Sequence, residues 1–145
     1  MNNLNENTSA IEDFFGPVIY AYTRAMAIKD GNLVDVTEIA QEAGFSVPVA
    51  LTRAVWEKHV AWDQDDNKRH QTYQDETGRL WDVVYMARCG CVGANKGESQ
   101  ETLYELYCVP RHGRGKLPRR TVLKMHIGPG DEGEPVITIM LPNES

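Results

Sequence analysis

A repeated strand-like pattern in the carboxyl-terminal half is the feature that most constrains how this chain can fold. Residues 102–109 and 121–127 alternate between apolar and polar side chains, and residues 136–141 are apolar on both faces except at Thr138. Successive side chains of a strand point to opposite faces of a sheet, so all three runs are typical of β-strands. The composition of residues 128–135 predicts a hairpin loop between the last two strands. The side chains that we expect to be buried in this sheet are Leu123, Met125, Ile137 and Ile139.

Residues 80–89 are ambiguous between a fourth strand and a helix. The residues that alternate in the period of a strand are Trp81, Val83, Tyr85, Ala87 and Cys89. A helical stripe through Leu80, Val83, Val84 and Ala87 fits as well, but the β-branched and aromatic content favours a strand. We therefore predict four consecutive strands in an antiparallel meander.

The amino-terminal part carries the signals of short helices. Helix-forming residues 21–30 end at Gly31, and residues 38–43, with Thr37 as a possible cap, end at Gly44. A third helical stretch is predicted for residues 49–60, and residues 61–77 have the polar composition of a loop. The predicted fold class is thus α+β, with amino-terminal short helices packed on a four-stranded antiparallel meander sheet. Residues 1–10 are expected to form a disordered arm, and residues 11–145 a single domain.

Composition limits the possible classes of protein. The chain has 145 residues and a net charge of −6, and no apolar run approaches the length of a membrane span. Its three cysteines are an odd number, which favours a reducing compartment over a disulfide framework. These features predict a cytoplasmic protein that does not contact a membrane.

Catalytic and metal-binding patterns are weak. Cys89, Cys91, Cys108 and His112 are the residue types of a zinc site, but their spacing differs from that of the common zinc knuckle. Cys108 and His112 would form a nucleophilic pair only if the chain turned sharply between them. We expect a protein that is not an enzyme and that carries no metal and no cofactor.

Residues 37–56 resemble a helix-turn-helix. Ala40 and Gly44 have the spacing of the small residue and the turn glycine of that motif. The predicted recognition helix begins near Pro48 and offers Arg53 at a position that should pack inward, and Glu38 and Glu42 oppose docking on phosphates. An ordinary pair of helices is the favoured interpretation, and direct binding of nucleic acid is not expected.

Two charged segments are candidate partner-binding surfaces. The acidic segment, residues 62–76, combines carboxylates with aromatic rings that lack an evident structural role in a polar loop. Its candidate residues are Trp62, Asp63, Asp65, Asp66, Tyr73, Asp75 and Glu76. The rival surface is the basic strip, residues 111–124, whose candidate residues are Arg111, Arg114, Lys116, Arg119 and Arg120. Carboxylates would steer the protein to a basic groove, whereas the basic strip would fit an acidic partner or nucleic acid.

Several longer segments carry a resemblance to a known family. They are residues 13–20 (DFFGPVIY), 22–25 (YTRA), 30–31 (DG), 33–36 (LVDV), 48–56 (PVALTRAVW), 78–83 (GRLWDV), 128–131 (GPGD) and 134–142 (EPVITIMLP). In these segments the chain resembles an uncharacterised family of small proteins carried by plasmids, phages and integrated elements. The family has no assigned activity, so the resemblance implies a context and no catalytic residues.

That context leads to two functional hypotheses. Small acidic products of mobile elements often act against host defence, so the favoured hypothesis is a non-catalytic inhibitor of the anti-CRISPR or antirestriction type. Its partner would be a host nuclease complex, either a protein or a ribonucleoprotein. The alternative is a small helix-turn-helix regulator of the mobile element. The sequence leaves the oligomeric state open.

Overall fold

The computed structural model describes residues 22–91 and 100–145 and combines short helices with a mixed β-sheet. In chain order the elements are α1 (Arg24–Asp30), β1 (Leu33–Asp35), α2 (Thr37–Ala43), β2 (Val49–Thr52), α3 (Arg53–Val55), a π-helical turn (Trp56–Val60), α4 (Gln64–His70), α5 (Glu76–Gly90), β3 (Gln100–Cys108), β4 (Arg119–Pro129) and β5 (Pro135–Met140). The predicted α+β class is confirmed. The predicted disordered arm, residues 1–10, lies outside the described residues.

The sheet has five strands in the order β1-β2-β5-β4-β3. Strands β3, β4 and β5 are antiparallel neighbours, and the predicted hairpin between β4 and β5 closes where Pro129 pairs with Pro135. Strand β2 lies parallel to β5, with Val49 opposite Ile137, and β1 pairs with β2 in antiparallel fashion. The predicted four-stranded meander is therefore wrong in detail, because the sheet is mixed and its outer strands on one side come from the amino-terminal half.

Residues 80–89 form most of helix α5, so their assignment to a strand was wrong. The Asp75 side chain caps the helix by accepting a hydrogen bond from the Gly78 amide at 2.7 Å. Val83, Val84 and Ala87 are fully buried, which follows the helical stripe and leaves Tyr85 exposed. A helix that packs on a sheet buries a residue every three to four positions. A strand would have buried every second residue, and Tyr85 would then lie on the buried face with Val83.

Residues 49–52 form strand β2, so the predicted helix over residues 49–60 begins only at Arg53. Val49, Ala50 and Leu51 have no exposed surface, because β2 lies between β1 and β5 and is covered. A short apolar run of this kind cannot be distinguished from a buried helix by its period alone. The strand also takes the place of the first turn of the second helix, so residues 37–56 form neither the favoured ordinary pair of helices nor the alternative helix-turn-helix as drawn from the sequence.

One face of the sheet carries the hydrophobic core. Leu123, Met125, Ile137 and Ile139 are buried as predicted and belong to one cluster with the buried stripe of α5. Helix α1 is tied to the sheet by Arg24, which donates to the Thr138 side chain and to the Ile137 carbonyl, each at 2.7 Å. None of the described helices is long and apolar enough to cross a membrane.

Candidate binding surface

The acidic segment is not the predicted loop, because it contains all of helix α4, the turn that follows it and the first residue of α5. Asp63 and Asp66 form a capping box at the start of α4, in which each carboxylate accepts a hydrogen bond from the amide of the other at 2.9 Å. Glu76 accepts a hydrogen bond from the Trp62 amide at 3.3 Å. These carboxylates satisfy backbone groups that the helix ends would otherwise leave unpaired.

Trp62, expected to be an exposed contact residue, is buried. Its indole nitrogen donates to Asn67 at 2.8 Å, and its ring lies 4.4 Å from the guanidinium carbon of Arg79. The His70 ring lies against it with a centroid separation of 4.9 Å. Tyr73, in contrast, is 96% exposed. Of the two aromatic residues predicted to contact a partner, only Tyr73 is positioned to do so without unfolding.

Asp66 joins the acidic segment to the basic strip. Its side chain is buried and pairs with Arg69 of the same helix and with Nε of Arg111 at 2.9 Å. Arg111 also reaches Asp63, at 3.3 Å. Burial alone would raise the pKa of Asp66, but the Asp63 amide and the two guanidinium groups outweigh it and hold that pKa below its usual value. Arg111 therefore joins the basic strip to the acidic segment through two ion pairs.

Helix α4 holds the chain that connects β3 to β4. We call residues 109–119, which comprise this connection and the first residue of β4, the basic loop. Both ring nitrogens of His70 face loop carbonyls, Nδ1 that of Gly115 and Nε2 that of Arg111 at 2.7 Å. Arg69 donates from Nε to the Gly113 carbonyl at 3.0 Å and from Nη2 to the Arg111 carbonyl at 2.8 Å. His70 and Arg69 thus contact the backbone carbonyls of three loop residues, Arg111, Gly113 and Gly115.

The basic loop, whose backbone is held by His70 and Arg69, exposes several cationic side chains to solvent. Arg114, Lys116 and Arg119 are exposed, and within residues 22–91 and 100–145 their side chains make no hydrogen bond or ion pair. Leu117 is 75% exposed, next to these charges in the chain. Arg120, also predicted as a contact residue, instead pairs with Glu105 on the neighbouring strand β3. The surface thus offers three free cations and an apolar side chain.

The cysteines do not assemble as the zinc pattern required. Cys89 and Cys91 lie at the carboxyl-terminal end of α5, and Cys108 contacts Nδ1 of His59 at 3.5 Å and the Thr121 hydroxyl at 3.2 Å. Burial, followed by the charges of Lys58 and Arg79, lowers the pKa of His59 to about 4. Among the described residues, no three His, Cys, Asp or Glu side chains are grouped so that they could hold a metal ion.

Sequence reasoning missed His70 and Arg69 as the residues that hold the loop. Their contacts reach 41 to 45 residues along the chain, so no local motif encodes them. The buried positions Asp66, Asn67 and His70 do have helical spacing, but they are polar. A search for apolar periodicity therefore passes over them.

The fold and this surface define an α+β protein in which one helix fixes a cationic loop at the end of a mixed sheet. The chain belongs to a family of unknown function (DUF6573), which it matches over residues 7–145. Neither a curated protein nor a solved structure is significantly similar to it.

Proposed function

We propose that this protein is a non-catalytic binding protein that docks on another macromolecule through the basic loop. The observation that carries the proposal is the fixation of the loop backbone by His70 and Arg69, which leaves Arg114, Lys116 and Arg119 free. A loop held before binding loses little conformational entropy on docking, so more of the contact energy is kept as affinity. The internal roles of Trp62, Asp63 and Asp66 support the basic loop over the acidic segment as the contact surface.

The partner that fits best is an acidic surface on a host nuclease complex. The chain has a net charge of −6, so its field opposes free nucleic acid and the basic loop is a local exception. A protein or ribonucleoprotein complex can match such a local cationic patch with a local acidic one. Together with the resemblance to products of mobile elements, this supports a cytoplasmic counter-defence inhibitor of the anti-CRISPR or antirestriction type.

A charge-reversal experiment tests both the function and the surface. Host cells that express the protein would be challenged with plasmid DNA targeted by a restriction or CRISPR system, and the transformation efficiency measured. We expect the wild type to restore transformation and Arg114→Glu with Arg119→Glu to lower the restored level by about tenfold or more. The matched control is Lys29→Glu with Lys68→Glu, which reverses exposed lysines on α1 and α4.

Two results would contradict the proposal. One is a loop reversal that protects the plasmid as well as the control variant does, which would remove the basic loop from the interface. The other is tight binding of the purified wild type to free DNA with a steep salt dependence, since that behaviour defines a DNA-binding regulator.

A further inference from the structure

A cleft of about 550 Å³ lies beside the base of the basic loop. The π-helical turn contributes Glu57 and Lys58, helix α4 contributes Arg69, and the loop contributes Arg111 and His112. The cleft is thus lined by three permanent cations, an imidazole and one carboxylate. π-Helical turns are rare and are frequently found at functional sites.

The arginines of the cleft are fixed and still have donors to offer. Nε of Arg69 is committed to the Gly113 carbonyl and Nε of Arg111 to Asp66, at 3.0 and 2.9 Å. Within the described part of the chain, Nη1 of each makes no hydrogen bond. The side chains of Lys58 and His112 likewise have no hydrogen-bond partner among those residues. Rigid guanidinium groups with free N–H donors are suited to an oxyanion with several acceptor oxygens.

The charge of the cleft favours an anion over a cation. Glu57 is its one carboxylate, and that carboxylate is already paired with Arg53 at 2.9 Å. Asp66 neutralises part of the charge of Arg69 and Arg111, but Lys58 makes no ion pair with a described residue. The remaining lining residues, Ala54 and Leu141, are small or apolar and give room for an uncharged part of a ligand.

We propose that this cleft binds a phosphoryl group, carried either by a small phosphate ester or by the terminal phosphate of a nucleic acid. The site goes beyond the docking function, because its ligand contacts Lys58, His112 and the Nη1 atoms of the two arginines rather than the free cations of the loop. A phosphate presents its oxygens in several directions, so the lysine, the imidazole and the arginines can each donate to a different one.

The primary test is a titration of ¹⁵N-labelled full-length protein with inorganic phosphate at constant ionic strength, followed by amide chemical shifts. We expect saturable shifts at Lys58 and His112, and a dissociation constant raised by about tenfold in Lys58→Gln. The matched control is Lys68→Gln, which removes an exposed lysine of α4 that does not line the cleft. Absence of saturable binding, or equal affinities in the two variants, would overturn the proposal.

A second arm distinguishes the two sources of the phosphate. A short single-stranded oligonucleotide would be compared with and without a 5′-phosphate, alongside a nucleoside monophosphate. Preference for the phosphorylated oligonucleotide over the monophosphate assigns the site to nucleic-acid ends, and the reverse preference assigns it to small esters. Binding of the unphosphorylated oligonucleotide as tight as that of both the phosphorylated oligonucleotide and the monophosphate would contradict a phosphoryl site.

The docking function and the phosphoryl site are tested by different variants, so either proposal can be contradicted without the other. The loop variant Arg114→Glu with Arg119→Glu leaves every lining residue of the cleft in place, so it is expected to keep wild-type affinity for phosphate. The variant Lys58→Gln is expected to lose phosphate affinity even if the loop docks on no partner at all.

Discussion

Asp66 is the residue on which both charged segments depend. Its carboxylate closes the capping box of α4 and also pairs with Arg69 and Arg111, although its side chain is only 3% exposed. A buried carboxylate without partners would be strongly unfavourable, so the network and the burial require each other. Through Arg111, the buried carboxylate of Asp66 is thus one of the groups that hold the basic loop in place.

The variant Asp66→Asn tests this dependence. We expect the free energy of unfolding, measured by urea denaturation at pH 7, to fall by about 3 kcal/mol, because two guanidinium groups lose their shared anion. The native pKa of Asp66 lies below its ordinary value of 3.8, so its contribution is full above that pH and is lost as the pH falls through the native pKa. The control Asp65→Asn removes an exposed neighbour and should change stability by less than about 0.5 kcal/mol. Equal losses in the two variants would contradict the role given to Asp66.

His59 gives the protein a second pH dependence, at less acidic pH. In the unfolded chain the pKa of His59 is near 6.5. In the native protein, burial and the charges of Lys58 and Arg79 lower this pKa to about 4. The unfolded state therefore binds more protons between these values, and stability decreases as the pH falls from 6.5 towards 4.

The variant His59→Gln should flatten this decrease, because the glutamine does not titrate. Denaturation curves at several pH values between 4 and 7 measure the slope, and His112→Gln, at an exposed histidine, is the matched control. A slope in His59→Gln as steep as in the control would show that other groups cause the acid loss.

At the scale of elements, helix α5 shows where local patterns stop being informative. Its sequence fits a strand by composition and a helix by the stripe through Leu80 and Ala87, and the Asp75 cap favours the helix. Asp75 lies within residues 61–77, whose polar composition predicts a loop, so the start of the helix is hidden in a segment without apolar periodicity. The helical limits set by Gly31 and Gly44 were predictable, since both glycines take left-handed conformations that end α1 and α2.

The cap of α5 can be tested directly. Asp75→Ala should lower the free energy of unfolding by about 1 kcal/mol, because the Gly78 amide loses its acceptor. Asp65→Ala provides the comparison within the same acidic segment, since Asp65 is exposed and caps no helix, and should cost less than about 0.5 kcal/mol. If both substitutions have the same small effect, Asp75 does not stabilise α5 as a cap.

At the scale of the whole molecule, the topology depends on the pairing of β2 with β5, which no local sequence pattern indicates. The antiparallel order of β3, β4 and β5 was predictable because consecutive strand-like runs joined by polar, glycine-containing loops usually pair with one another. The parallel pairing of β2 with β5 joins Val49 to Ile137, across most of the chain. The binding surface has the same long-range origin, because the hydrogen bonds between α4 and the basic loop join residues that are 41 to 45 positions apart in the chain.

Ile139 lies at the centre of this arrangement. It has no exposed surface, and it pairs with Leu51 of β2 on one side and Met125 of β4 on the other. Truncation to alanine leaves a cavity where the local hairpin and the long-range parallel pair meet, and the surrounding sheet cannot close around it without disturbing both.

We therefore expect Ile139→Ala to lower the free energy of unfolding by about 2–5 kcal/mol in urea denaturation, from lost transfer energy and the cavity together. The matched control is Ile28→Ala on α1, where the isoleucine is 36% exposed and the expected loss is below about 1 kcal/mol. Native-state hydrogen exchange adds a second readout, in which the amides of β2 and β5 should lose protection together because they share the parallel ladder. Loss of protection in β5 alone, or equal destabilisation by the two substitutions, would contradict the central position of the β2–β5 pair.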